Sequence, residues 1–364
     1  MTACAIEPAA GDGGTARRAG LTITADGAYA VRLAGDGQAL YPQRWTLDGP
    51  EAYTVPLPAG QPEEPDAQVL PLADGRVLIA RRADGRVLFS LLYPTGPATG
   101  DLPLGGIEAA DVRLLPPSPQ GACAYALVGG VHATAIWLVA GGAFGPEHVA
   151  DVKGRCTGGV WLDRTGRMLA LDRQVDDGPV KAVAVDLERG GEVTPLLQIA
   201  EDSDDRLLLA DPESGLLMLR SDAPGHERLG WGVLGSTLPV RFPECLRPPG
   251  VELTPFAVQP GQTLTPEGCA VALRIDGATG SWVGLWRPAE RVLHQLAPPE
   301  GWLAGAGVWS RDGELRLPWA IDGLGAGVAR LAMPEPPPVV RVAPMPAPAA
   351  KPVPLGQAPL AGRG

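Results

Sequence analysis

Apolar and polar positions alternate along this chain in short runs, and a glycine turn interrupts the pattern at regular intervals. Residues 72–95 show the rhythm at close range: LADGRVLIARRADGRVLFSLLYPT contains two apolar runs, each led in by Ala-Asp-Gly. Comparable turns, each followed by a strand-like run, centre on Gly27, Gly75, Gly121, Gly166, Gly215, Gly268 and Gly313, at spacings of 45 to 53 residues. After each comes a polar or glycine-containing turn and a third run, often aromatic: QRWTL, RVLFSLL, ATAIWLVA, KAVAVDL, RLGWGVL, WVGLWRP and GVARLAM. A fourth short segment follows in several units, as in residues 51–57, 192–199, 291–297 and 338–344. No long window keeps a helical stripe. Four strands in each of seven units predict an all-β fold, a seven-bladed β-propeller of four-stranded antiparallel blades. A pair of β-sandwiches would not require seven comparable units.

The recurring glycine has a physical task, because a tight hairpin turn needs positive φ and glycine adopts it without a Cβ clash. Asp26, Asp74 and Asp312 precede it for the same turn-forming reason. Trp45, Trp137, Trp231 and Trp286 fall in the third strand of their units, where a large ring is expected to pack between neighbouring blades. Trp302, Trp309 and Trp319 break the rhythm and are candidate ligand contacts.

In the third unit, Ser118-Pro119-Gln120-Gly121-Ala122-Cys123-Ala124-Tyr125, with Ala135-Ile136-Trp137 and Gly141 beyond, resembles the SPDG…IAY…IW…G repeat of WD40-like, TolB-type propellers. That family also supplies the propeller domain of prolyl-oligopeptidase-like peptidases. Gln120 stands where the usual repeat has Asp. The resemblance implies the propeller fold with a binding or gating role, and it names no partner.

Composition narrows the function. A formal net charge of −11 repels a phosphate backbone, and no Lys/Arg stripe offsets it, so nucleic acid is not an expected partner. The chain has no Asn and its only lysines are Lys153, Lys181 and Lys351, a bias expected of a high-GC bacterial source. The five cysteines (Cys4, Cys123, Cys156, Cys245, Cys269) form no CxxC or Cys/His zinc spacing and are expected as reduced thiols. Residues 1–20 lack the apolar core of a secretory signal, and no run approaches the roughly 18 to 20 apolar residues of a membrane span. A soluble protein of the bacterial cytoplasm, monomeric on its own and with no membrane partner, is the expectation. Residues 1–17 are expected as an N-terminal segment that is flexible or closes the ring, 18–334 as the propeller, and 335–364 as a Pro/Ala-rich tail. Within that tail 338–344 is a candidate closing strand, which would remove an exposed edge.

Chemistry is sparse. No GxSxG elbow occurs, His132, His148, His226 and His294 lie in separate units, and seven units leave no room for a hydrolase domain. Ser310-Arg311-Asp312-Gly313 misses the sialidase Asp-box spacing, and the Asn of lactonase-type metal sites is absent. No catalytic residue is assigned, and no cofactor is expected. One weak metal candidate remains, the acidic run 201–205 with Asp202, Asp204, Asp205 and, beyond it, Asp211, dense enough in oxygens for Ca²⁺ if the loop folds back on itself. A second acidic feature follows from topology. The turn joining second and third strands holds Asp36, Asp84, Asp176 with Asp177, Asp222, Asp276 and Asp322, whereas the third unit has His132 there. Carboxylates ringing one face would favour a basic protein surface, although Asp-Gly is also simply good hairpin chemistry. The expected function is a non-enzymatic protein-interaction platform; the alternatives are a hydrolase or lyase with an axial pocket, and a small-molecule or glycan sensor.

Overall fold

Positive-φ glycines and alternating strands build the molecule as expected, and the two copies of Ala-Asp-Gly show how. The computed structural model describes residues 20–37, 39–261 and 264–333. In the second copy both Asp84 (φ 49°) and Gly85 (φ 78°) are left-handed, the two-residue turn that matches the twist of a tight hairpin. In the first copy only Gly75 is left-handed (φ 80°); its N–H donates to the Leu72 carbonyl at 3.0 Å, and Asp74 Oδ1 accepts from the Arg76 N–H.

The turn at Gly75 recurs. Gly27, Gly121, Gly215 and Gly313 are also left-handed and donate to a carbonyl three or four residues back, and at Gly166 the acceptor is the Asp163 carboxylate. A small oxygen-bearing side chain closes most of these turns: Thr24 Oγ1 accepts from the Tyr29 N–H, Asp211 binds Ser214, and Ser310 Oγ accepts from the Glu314 N–H. Gly268 corrects the sequence pattern. It ends a one-turn 3₁₀ helix, Pro266–Gly268, and is not left-handed, because the longer connection there reverses direction without a tight turn.

The strands fall into antiparallel meanders in chain order. The first sheet is β1 (Thr22–Ile23), β2 (Tyr29–Ala34), β3 (Tyr41–Thr46) and β4 (Tyr53–Pro56); the second is β5 (Gln68–Pro71), β6 (Val77–Ala83), β7 (Arg86–Pro94) and β8 (Thr99–Ile107). The third is β9 (Val112–Leu114), β10 (Ala124–Gly129), β11 (Ala133–Ala140) and β12 (Glu147–Lys153). The fourth, β13 (Arg155–Trp161), β14 (Met168–Gln174), β15 (Val180–Asp186) and β16 (Glu192–Pro195), touches the fifth through one parallel pair, Lys181 with Asp205. The fifth has β17 (Asp205–Ala210), β18 (Leu216–Ser221) and β19 (Arg228–Val233), with only a Trp231–Arg241 bridge in place of a fourth strand. The sixth is β20 (Glu252–Val258), β21 (Val271–Gly277), β22 (Gly280–Trp286) and β23 (His294–Leu296), and the last is β24 (Val308–Trp309), β25 (Glu314–Ile321) and β26 (Gly325–Ala332). The fourth strands β8 and β12 carry little apolar alternation, which is why their sequences gave no signal. The candidate closing strands at 338–344 and near Cys4 lie outside the described residues.

Each sheet buries one face against its predecessor and the other against its successor. On β14, Leu169 and Leu171 join the core with the third sheet, whereas Ala170, between them, joins the core with the fifth. A separate core lies between every consecutive pair, and the last one returns to the start: Ala30 and Trp45 of the first sheet pack with Ala320, Ala326 and Val328 of the last. Successive meanders in a closed round of face-to-face contacts make a β-propeller. The third-strand tryptophans pack as expected: Trp45 and Trp286 are fully enclosed, Trp231 nearly so, and Trp137 is half-buried.

Candidate binding face

An antiparallel meander sends its second-to-third strand turn and its link to the next sheet to the same end. The face so formed gathers the turns β2–β3, β6–β7, β10–β11, β14–β15, β18–β19, β21–β22 and β25–β26. Asp36, Asp84, Asp176, Asp177, Asp222 and Asp322 are exposed on it. Asp176 is left-handed like Asp84 (φ 50°). Asp276 is placed differently from its expected position: it lies inside β21, one residue before its end, accepts from Arg274 Nε at 2.6 Å and Ser281 Oγ at 2.5 Å, and leaves the turn to Ala278 and Thr279. Asp222 Oδ1 accepts from the Asp204 N–H at 2.8 Å, a role in joining the β18–β19 turn to the preceding link. His132 is exposed in the third sheet's turn.

Three arginines of this face are spent on carboxylates of the links. Arg81 grips the buried Glu63 with two nitrogens (2.7 and 2.8 Å), Arg82 meets Asp66 at 3.0 Å, and Arg228 meets Glu244 at 2.8 Å. Among the described residues Asp36, Asp84, Asp176 and Asp177 pair with no cation. These four carboxylates stand on this face as unpaired negative charge.

At the end of the fourth sheet, where the link 198–201 leaves for the fifth, the same face opens into a cleft of about 490 Å³, lined by Arg173, Val175, Gly178, Pro179, Lys181 and that link. Behind it lies Asp205, completely buried, which accepts from Lys181 Nζ (2.8 Å), Ser221 Oγ (2.7 Å), Ser203 Oγ (2.9 Å) and the Ile199 N–H (3.0 Å). Burial alone would raise its pKa, but these donors outweigh it and hold the carboxyl below its ordinary value. On β14, Asp172 is also buried but has weaker company. Its Oδ1 accepts from the Leu207 N–H at 3.0 Å, and burial pushes its pKa up to about 6 against that bond and the nearby Arg206.

The metal candidates are not brought together. Asp205 is locked inside this cluster, Asp204 Oδ1 accepts from the Val180 N–H, Asp211 caps the turn at Gly215 through Ser214, and Asp202 is exposed. Among the described residues no group of three or more His, Cys, Asp or Glu side chains is placed to hold a metal. Backbone, hydroxyl and ammonium donors engage Asp204, Asp205 and Asp211 instead.

Along the inner strands β5, β9 and β13 lies a second cavity of about 470 Å³, lined by Thr22, Leu33, Leu70, Leu115, Pro116, Gly159 and neighbours, with no ionisable side chain. Gln68 there bridges two sheets, donating to the Val112 carbonyl and accepting from the Leu114 N–H, each at 2.8 Å. The irregular tryptophans divide as well. Trp302 and Trp319 stand opposite each other across a bridge, while Trp309, on β24, is buried in the core between the last two sheets.

No protein-family model matches the chain, and no curated protein matches its sequence. Among solved structures, the fold is similar to that of a prolyl endopeptidase (TM-score 0.55, 10% identity, 87% of this chain and 48% of that one). It is similar also to an acylaminoacyl peptidase of Pyrococcus horikoshii (0.52, 11%, 87% and 52%) and to TolB from Acinetobacter baumannii (0.44, 13%, 83% and 75%). The shared architecture is the β-propeller. The chain spans about half the length of the two peptidases, and at these identities the likeness concerns the fold. None of the described helices is long and apolar enough to cross a membrane.

The Lys181–Asp205 cluster and Asp172 were missed from sequence. One signal was available: in MLALDRQ, Asp172 falls on the same face as the buried Ala170, a polar residue at a core register position.

Proposed function

We propose that this chain is a non-enzymatic propeller of seven blades that works as a protein-docking platform in a bacterial cytoplasm, taking a partner with a basic surface on the face of the second-to-third strand turns. The observation that carries this reading is the set of exposed, cation-free carboxylates Asp36, Asp84, Asp176 and Asp177 on one face where Arg81, Arg82 and Arg228 are already paired with carboxylates of the links. Such a face attracts a basic surface over a Debye length, about 10 Å at 0.1 M salt, and speeds its encounter. The cavity along the inner strands favours a platform over an axial enzyme, since acid–base catalysis needs convergent titratable groups and its lining supplies none.

Affinity purification of the tagged full chain, alongside a variant with Asp36, Asp84, Asp176 and Asp177 all changed to Ser, tests the reading. A stoichiometric basic partner should be retained by the unaltered chain, released at moderate salt, and depleted about tenfold on the variant, the equivalent of 1.4 kcal/mol. Equal recovery on both chains, at every salt concentration, would falsify it.

A further inference from the structure

Arg173 is the unusual feature of the cleft at the end of the fourth sheet. It sits on β14 directly across from Lys181 on β15 and next to Cys156 on β13, half-buried, with Nε out of contact with solvent and without a partner. Among the described residues it forms no hydrogen bond or ion pair. Lys181, beside it, has no donor left, because its three N–H groups go to the Ala200 carbonyl, Ser203 Oγ and Asp205 Oδ2. A guanidinium held partly out of water with its donors unspent is costly, and a ligand that supplies acceptors removes that cost.

We propose that this cleft is a pocket for a C-terminal carboxylate, with Arg173 taking the terminus of the basic segment that the acidic face recruits. The proposal rests on the platform reading and adds what that segment must end with. A planar carboxylate of single charge matches the guanidinium fork. A phosphate is a poorer match, because Glu201 lines the same cleft and Asp205 stands behind Lys181, so a second negative charge meets repulsion. Val175, Pro179, Ile199 and Ala200 give the cleft apolar walls for the last side chain, and about 490 Å³ is within the range of small-ligand sites, about 300–1,000 Å³. Asp176 and Asp177, on the turn that forms one wall, are exposed at positions where lysines upstream of the terminus would meet them.

The probe is a fluorescent peptide of three lysines followed by Ala-Leu-Ala, made as the free acid and as the C-terminal amide, titrated against the full-length protein by fluorescence anisotropy. The free acid should bind on the order of ten- to a hundredfold more tightly than the amide, the worth of a hydrogen-bonded charge pair. Arg173→Gln should abolish that ratio while leaving the amide's affinity unchanged or slightly raised, and Arg173→Lys should restore only part of it. Changing Asp176 and Asp177 to Asn should weaken acid and amide alike and keep their ratio, which separates a failure of the platform from a failure of the pocket. Equal binding of acid and amide, a ratio that survives Arg173→Gln, or an amidated peptide with an internal Asp binding as well as the free acid would each overturn the proposal. Melting temperatures of the variants within a few degrees of the parent show that the comparison is made on folded protein.

Discussion

Replacing Asp172 with Asn removes a buried charge and little else, which makes its effect calculable. The carboxyl ionises at about 6 in the fold against an ordinary 3.8, so holding it ionised costs about 3 kcal/mol relative to the unfolded chain. The sign follows from proton uptake. Between these two pH values the folded state binds the proton more tightly, so the parent loses stability as pH rises from about 4 and carries the full cost above about 6. The amide oxygen of Asn can keep the bond from the Leu207 N–H, and losing the attraction of Arg206 trims the gain. Asp172→Asn should therefore be more stable than the parent by about 1–3 kcal/mol at pH 8, and the advantage should shrink by about 2 kcal/mol at pH 4.5. Urea denaturation followed by tryptophan fluorescence at pH 4.5, 6 and 8, at matched ionic strength, measures both quantities. A difference between the two proteins that does not change with pH, or an Asn variant less stable at pH 8, would show that the carboxyl is not confined as the geometry implies.

Two further outcomes test the turn geometry and the buried pair. Gly166→Ala, at φ 77°, should lose about 1–2 kcal/mol, whereas Gly268→Ala, in a 3₁₀ turn with its nearest neighbour 3.8 Å from the added Cβ, should change stability by less than about 0.5 kcal/mol; equal losses in thermal denaturation would contradict the different backbone of the two turns. Lys181→Met strands the Asp205 carboxylate and should lose about 3–5 kcal/mol, with most of it recovered when Asp205→Asn is added; additive losses in the double variant would mean that the two groups do not act as a pair.

Much of the fold was legible in local chemistry. Strand alternation and the glycine turns at Gly27, Gly75, Gly121, Gly166, Gly215 and Gly313 are short-range properties, since a left-handed backbone and a period of two are dictated by neighbouring residues alone. They suffice for the all-β propeller, for the second-to-third strand turns with Asp36, Asp84, Asp176, Asp177, Asp222 and Asp322, and for the buried Trp45, Trp231 and Trp286. Gly268 and Asp276 escaped because a longer connection and a shifted strand end look the same in sequence as a tight turn.

The partners of individual side chains belong to a different level. Lys181 and Asp205 are 24 residues apart and on different sheets, and the packing of the fourth sheet against the fifth alone turns an acidic loop that resembles a cation site into a buried ion pair. The same packing confines Asp172, while its neighbour Arg173 is left unspent beside a cleft and the adjoining turn exposes Asp176 and Asp177. Charge and alternation along the chain determine that this protein is an acidic propeller; which carboxylates are consumed inside it and which face outward is decided only when sheets distant in sequence meet, because burial and pairing are properties of that contact.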